Sequence, residues 1–254
     1  MLTVLVQAVV GWLVLLFGLL ALAVTHHSGA LRSPEQRTWA LVGLGFTVAG
    51  LFRCAHGSAA VWAFLSGPGS PAWNVFLSWS PAGNYGGSFV MIAVGVALSA
   101  VVLDRMQKVE WRSAPITTFF LLAFLAGGIL GRFGAPHDRV DYPVMALLIS
   151  LELITFLVAL FIGVVWRSMD KYLWLCLVVY GFREAFNTFL FSALAWIDMA
   201  GAWAPHPVEV QVYGALGYTL MIVIVSRRLI LARRGVRVGS LFPPPPHRVR
   251  PSLL

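Results

Sequence analysis

The stretch that decides the fold runs from Tyr172 to Trp196 and reads YLWLCLVVYGFREAFNTFLFSALAW. It is long and apolar enough to span a bilayer as a helix, yet it carries two charged residues near its middle. At about 100° per residue, one arc holds Tyr180, Arg183, Glu184 and Asn187, and the opposite side holds Val178, Phe182, Ala185 and Phe189. Ionisable groups at that depth are costly and normally face the interior of a helix bundle. We therefore expect one buried polar face and one apolar face.

The composition of the chain is that of a membrane protein. Of its 254 residues, 59% are hydrophobic and 11% are charged, which is too little charged surface for a water-soluble globule. The net charge is +8, but the arginines cluster at segment ends and in the C-terminal tail rather than in one basic patch with interleaved aromatic residues. Membrane orientation therefore explains the charge, and we predict no nucleic-acid partner.

Seven apolar segments have about the length that a spanning helix requires. They cover residues 4–24, 39–65, 87–103, 115–131, 143–166, 172–196 and 208–231. Lys and Arg concentrate in alternate connections, while the remaining connections carry only Arg132 and Arg139. By the positive-inside rule, the N-terminus lies outside and the C-terminus lies in the cytoplasm. The prediction is an all-α, polytopic membrane protein in which residues 1–238 form a seven-transmembrane-helix bundle.

Three stretches near the membrane boundaries carry further predictions. The outer connection 66–86, SGPGSPAWNVFLSWSPAGNYG, is uncharged and rich in aromatic residues, and we expect it to lie in the interface as a short helix or lid. Five arginines are expected to continue the last helix into the cytoplasmic headgroups: Arg227, Arg228, Arg233, Arg234 and Arg237. Residues 239–254 form a proline- and arginine-rich tail that we expect to be disordered and to offer a docking peptide for a membrane protein partner.

The charges inside the segments are predicted to meet. At 1.5 Å per residue, Glu152 lies about 14 Å from the outer end of the fifth segment, and Arg183 lies about 14 Å from the inner end of the sixth. Arg53, on the second segment, lies within side-chain reach of the same plane. The candidate ligand-binding or ion-pair residues are Arg53, His56, Glu152, Tyr180, Arg183, Glu184 and Asn187.

Three interpretations of this set remain open. It forms a buried ion-pair network that fixes helix packing, because two arginines and two glutamates balance. It binds a small anionic or lipid-like ligand, with Arg53 and Arg183 holding the anionic group. It is a proton or ion pathway through Glu152 and Glu184.

The sequence lacks the motifs of soluble enzymes: GxxxxGK, GxGxxG, CxxC, HExxH and GxSxG do not occur. We predict no catalytic residue, although an intramembrane enzyme that uses His56 with the two glutamates as acid and base is a third possibility. Two outer connections hold potential metal ligands, His137, Asp138 and Asp141 in one and Asp198, His206 and Glu209 in the other. Neither set has a spacing that fixes a coordination geometry. We therefore predict no metal site, and the sequence identifies no cofactor.

The function that this pattern favours is binding. We predict a multi-pass protein of the plasma membrane, or of the inner membrane in a bacterium, that serves as a sensory or accessory subunit. It holds a small anionic or lipid-like ligand, or a partner protein, around the intramembrane Arg/Glu cluster. The alternative is a secondary transporter or ion pathway that uses Glu152 and Glu184. The expected partners are the lipid bilayer and a membrane protein bound through the tail.

Overall fold

Six α-helices make up the described part of the structure, a computed structural model that describes residues 2–27, 34–107, 142–165, 170–199, 208–236 and 238. They are α1 (Leu2–His27), α2 (Pro34–Ser66), α3 (Pro71–Gln107), α4 (Tyr142–Val165), α5 (Lys171–Met199) and α6 (Val208–Arg233). The described residues contain no β-strand, which confirms the all-α prediction. Six of the seven predicted segments coincide with these helices, and the fourth, 115–131, lies outside the described residues, as does the tail 239–254.

Three of the helices are long and apolar enough to cross a membrane, through Val4–His27 of α1, Arg37–Ser66 of α2 and Gln211–Arg233 of α6. Shorter apolar stretches occupy Tyr85–Leu98 in α3 and Ala146–Val158 in α4. A hydrocarbon core about 30 Å thick requires about 20 helical residues. These are the features of a helical membrane protein.

Helix α5 is polar on its buried face and apolar on its exposed face. Phe182 and Phe189 are 69% and 74% exposed, whereas Arg183 and Glu184 are 6% and 1% exposed. A water-soluble helix has the opposite arrangement, because it buries its apolar side chains and seldom its charged ones. This burial confirms the two faces predicted for residues 172–196. An exposed apolar face of this kind is typical of contact with a membrane or with another protein.

The described helices form a closed ring in chain order. Each helix packs against the one that follows it, and α6 packs against α1. All six contribute inward-facing side chains to one continuous buried core. The polar residues of α2, α4, α5 and α6 are therefore enclosed by apolar packing.

Helices α1 and α2 pack unusually closely because glycines recur every seven residues along α2. A Cβ atom added to Gly50 would lie 2.5 Å from the Cα of Leu15, and one added to Gly57 would lie 2.6 Å from the Cα of Ala8. From Gly50 to Gly57 the residue number rises along α2, while that of the facing residue on α1 falls from Leu15 to Ala8. The two helices are therefore antiparallel. Glycine is needed at these positions because it lets the two backbones touch.

The connection between α2 and α3 is much shorter than the sequence predicts. Residues 67–70 form a turn in which Gly67 and Gly69 have φ angles of 83° and 82°, a conformation that favours glycine. Ser70 Oγ accepts a hydrogen bond from the backbone N–H of Trp73 at 3.1 Å, and Pro71 is the first residue of α3. The stretch 66–86, predicted as a short interfacial helix or lid, is therefore a four-residue turn followed by the first part of one long helix.

Candidate functional site

Charged residues of three helices and a tyrosine of a fourth meet inside the ring. We call this cluster the polar centre, and it consists of Arg53 on α2, Glu152 on α4, Tyr180, Arg183, Glu184 and Asn187 on α5, and Tyr218 on α6. The remaining predicted site residue, His56, lies one turn after Arg53 on α2. The His56 ring is 5.4 Å from the ring of Phe76, toward the turn between α2 and α3.

Arg183 has the most contacts within the polar centre. Its guanidinium group forms an ion pair with the carboxylate of Glu184, the next residue on α5. The guanidinium carbon also lies 4.6 Å from the centre of the Tyr218 ring and 5.9 Å from that of Tyr180. A cation over an aromatic face is worth about 2 kcal/mol where water is excluded. Two of these partners lie on α5 itself, and the Tyr218 ring links the positive charge of Arg183 to α6.

Arg53 approaches the same tyrosine from the opposite side of the ring of helices. Its Nη1 donates a hydrogen bond to the hydroxyl of Tyr218 at 3.1 Å. Tyr218 thus binds one arginine with its hydroxyl and the other with its ring face. Because both charges converge on one side chain, the two guanidinium groups repel each other electrostatically.

Glu152 is the least satisfied member of the polar centre. Its side chain has no exposed surface, and neither carboxylate oxygen has a hydrogen-bond partner among the described residues. It interacts electrostatically with both Arg53 and Arg183. Buried polar atoms are nearly always hydrogen-bonded in proteins, so a carboxylate without partners is exceptional. The Glu152 carboxylate is therefore the group in this centre that is free to take a new partner.

Glu184 and Asn187 form the outer part of the cluster on α5. Asn187 Nδ2 donates a hydrogen bond to Glu184 Oε2 at 3.3 Å, while Glu184 Oε1 faces Arg183. The amide oxygen of Asn187 and the hydroxyl of Tyr180 have no hydrogen-bond partner among the described residues. The centre thus retains polar atoms without a hydrogen bond among the described residues at two positions of α5 that lie two turns apart.

A layer of aromatic rings lies on one side of the charges. Tyr180 packs edge-to-face with Phe46 at 5.1 Å and with Phe156 at 4.8 Å, measured between ring centres, and Tyr218 lies 6.3 Å from Tyr180. These rings come one or two turns before Arg53 and Arg183 along their helices and one turn after Glu152. They therefore close the polar centre on its predicted cytoplasmic side.

Glycines of α3 and α6 lie beside both arginines. A Cβ atom on Gly87 of α3 would lie 3.4 Å from Arg53 Nε, and one on Gly214 of α6 would lie 3.4 Å from Arg183 Nε. Gly217, one turn further along α6, faces the Cδ atom of Arg183 in the same way. These distances are those of ordinary van der Waals contact, so α3 and α6 pack directly against the two arginine side chains at these glycines.

The sequence prediction omitted Tyr218, which joins the two arginines. A signal was present, because Tyr218 lies about 15 Å from the start of α6 and so at the depth estimated for Glu152 and Arg183. It also follows Gly214 by four residues, as Arg53 follows Gly50 by three, and both spacings place the two residues on one helix face. A tyrosine in an apolar helix is most often a core residue, which is why this signal is weak.

A second buried ion pair joins the start of α5 to the C-terminal part of α6. Arg228 Nε donates to Asp170 Oδ2 at 2.6 Å, and both residues are buried. Asp170 Oδ1 accepts the backbone N–H of Tyr172 at 2.8 Å, so Asp170 also caps the N-terminus of α5. The prediction that Arg228 reaches the headgroups is wrong, because its side chain turns inward to this carboxylate. Its neighbour Arg227 is exposed.

The predicted outer His/Asp sets cannot be placed. Residues 137, 138, 141 and 206 lie outside the described residues, and the side chains of residues 198 and 209 are also outside the description. Among the described side chains, no group of three or more His, Cys, Asp or Glu residues has the arrangement of a metal site.

Comparison of the chain with protein-family models, with curated proteins and with solved structures gave no match. Proposals about function therefore depend on the chemistry of the polar centre.

Proposed function

We propose that this chain is a multi-pass protein of the plasma membrane with seven spans, its N-terminus outside and its C-terminus in the cytoplasm. The apolar outer faces of the described helices support membrane embedding. The alternation of Lys and Arg between successive connections supports the orientation.

The function that the geometry supports best is binding of an anionic group at the polar centre, by a sensory or accessory subunit. One observation carries this proposal: Arg53 and Arg183, from different helices, converge on Tyr218 in a buried setting. Two neighbouring cations repel, and an anion between them removes that repulsion. Guanidinium groups also present forked N–H donors that match the oxygens of carboxylates and phosphates. A lipid headgroup and a small solute are both sources of such a group.

Native mass spectrometry of the protein, extracted into nanodiscs from its own membrane, tests this proposal. The matched control is Arg227→Gln, which removes an exposed arginine on the same helix as Tyr218. We expect the wild type and this control to retain an anionic lipid or small anion. The charge-balanced double variant R53Q/E152Q is expected to lose it. A wild type without any anionic adduct, or a double variant with the same adduct, would refute anion binding.

A second candidate function, secondary transport with a proton or ion pathway, is favoured by the Glu152 carboxylate. Carboxylates inside a membrane often mark proton or ion pathways. Glu152 is buried and has no hydrogen-bond partner among the described residues. Proton flux into proteoliposomes, read with a trapped pH-sensitive dye, tests this candidate. Glu152→Gln and Glu184→Gln should each abolish the flux while the protein remains in the membrane. Unchanged flux in both variants would remove this candidate.

A further inference from the structure

The charges of the polar centre balance only while Glu152 is ionised. Arg53 and Arg183 supply two positive charges, and Glu152 and Glu184 supply two negative charges. Glu184 is committed to Arg183 by a direct ion pair and to Asn187 by a hydrogen bond. Glu152 has neither kind of direct contact among the described residues and balances the arginines from a distance.

An anion that enters this centre meets the Glu152 carboxylate as a competitor. If a monovalent anion bound and nothing else changed, the buried cluster would carry a net negative charge. An uncompensated charge in a low-dielectric interior is strongly unfavourable. The cluster stays neutral if one proton accompanies the anion and neutralises the carboxylate that the anion displaces from the arginines.

We propose that Glu152 takes up one proton when a monovalent anion binds between Arg53 and Arg183. This inference rests on the proposed function and specifies its ligand as a monovalent oxyanion. The step forms one O–H bond on Glu152 and breaks no covalent bond. Before binding, two positive and two negative charges cancel; after binding, the anion replaces Glu152 in that balance.

The groups around Glu152 suit this exchange. Arg53 on α2 and Arg183 on α5 supply the positive charge, and Tyr218 on α6 lies between them. Glu184 on α5 offsets part of the charge of Arg183. Helix α3 also packs on α4, and its apolar stretch Tyr85–Leu98 contains no Asp, Glu, Lys, Arg or His. Glu152 is thus the one described carboxylate that can exchange its role with an incoming anion.

Isothermal titration calorimetry in buffers of different ionisation enthalpy measures the protons taken up with each anion. The probes are two phosphodiester monoanions, dimethyl phosphate in solution and a short-chain phosphatidylglycerol, added to protein in phosphatidylcholine nanodiscs. Binding of the lipid alone identifies a headgroup as the ligand source, and binding of dimethyl phosphate identifies a free anion. Neither probe titrates near neutral pH, so any proton uptake belongs to the protein.

The wild type should take up one proton with each anion. In the pH range where a full proton is taken up, its affinity for the anion should fall about tenfold for each unit rise in pH. Glu152→Gln, which mimics the protonated side chain, should bind the probe with no proton uptake and no such dependence. The control Arg227→Gln should behave as the wild type.

Binding by the wild type without proton uptake would overturn the coupling and leave the anion site intact. Failure of the wild type and of Glu152→Gln to bind either probe would overturn both proposals. Infrared difference spectra of the wild type provide a measurement that needs no variant. Anion binding should produce a protonated-carboxyl band, which a carboxylate that keeps its charge would not give.

Discussion

The ion pair between Asp170 and Arg228 predicts a specific pattern of stability changes. Both side chains are buried, and Arg228 Nε lies 2.6 Å from Asp170 Oδ2. Arg228→Met leaves the carboxylate buried without its cation, and removing one partner of a buried pair costs about 3–5 kcal/mol. Asp170→Ser leaves the guanidinium unpaired at a similar cost, while the serine hydroxyl keeps the helix cap.

The double variant D170S/R228M should lose much less stability than the sum of the losses in the two single variants, because it leaves no unpaired buried charge. We expect its free energy of unfolding to exceed the additive value by about 2 kcal/mol or more, within the range seen for residues in direct contact. Comparison of Asp170→Ala with Asp170→Ser isolates the contribution of the helix cap. Both variants lose the ion pair, but alanine also lacks a capping oxygen, so Asp170→Ala should be about 1 kcal/mol less stable than Asp170→Ser.

The assay is unfolding in mixed micelles titrated with sodium dodecyl sulfate and followed by circular dichroism. Arg227→Met, at the exposed neighbouring position, serves as the control and should change the free energy by less than about 0.5 kcal/mol. Additivity of the two single variants within about 0.5 kcal/mol would show that Asp170 and Arg228 do not stabilise each other.

Three further predictions concern packing, topology and the polar centre. Gly50→Ala should destabilise the protein by about 1–3 kcal/mol, because the new Cβ meets backbone of α1. Gly181→Ala is the control, because its Cβ would meet only a leucine methyl group at 3.7 Å, and it should be neutral or slightly stabilising. If chemical unfolding shows equal effects of Gly50→Ala and Gly181→Ala, the close packing of α1 and α2 is contradicted. In cysteine-free protein, a membrane-impermeant maleimide should label Ser66→Cys in intact cells and Arg233→Cys only after lysis; labelling of both or the reverse order would refute the proposed orientation. Tyr218→Phe keeps the ring over Arg183 but removes the hydroxyl that binds Arg53. A hydrogen bond to a charged group is worth about 1.5–3 kcal/mol, so this variant should weaken anion binding by about tenfold to a hundredfold. Unchanged affinity by calorimetry would show that the hydroxyl has no part in positioning Arg53.

The sequence predicted well what depends on helical periodicity alone. The 100° spacing placed Arg183 and Glu184 on one face and Phe182 on the other, and the observed burial agrees. Counting residues from the segment ends also placed Glu152 near the depth of Arg183, because helical rise is nearly constant. The prediction that these residues bind a ligand remains a prediction.

Features that depend on which helices become neighbours could not be predicted. The positive-inside rule counts arginines without regard to their partners, so it did not separate Arg228, which turns to Asp170, from the exposed Arg227. Tyr218 was missed for the same reason, since its role arises only when α6 lies beside α5 and its hydroxyl reaches Arg53. The turn at 67–70 was missed because Ser70 and Pro71 begin α3 earlier than hydropathy suggests.

The closure of the ring between α1 and α6 imposes an order on biosynthesis. Helices α1 and α2 are made first and can pair at once, since their glycine-lined contact involves neither of the later helices α5 and α6. Arg53 on α2, however, must wait for Tyr218, which is synthesised 165 residues later. Until α6 inserts, this arginine lacks its hydroxyl partner and α1 lacks a neighbour on one side. Glu152 on α4 is made before Tyr218 and is the first residue that can offset the charge of Arg53, whereas the hydroxyl partner of Arg53 follows only with α6.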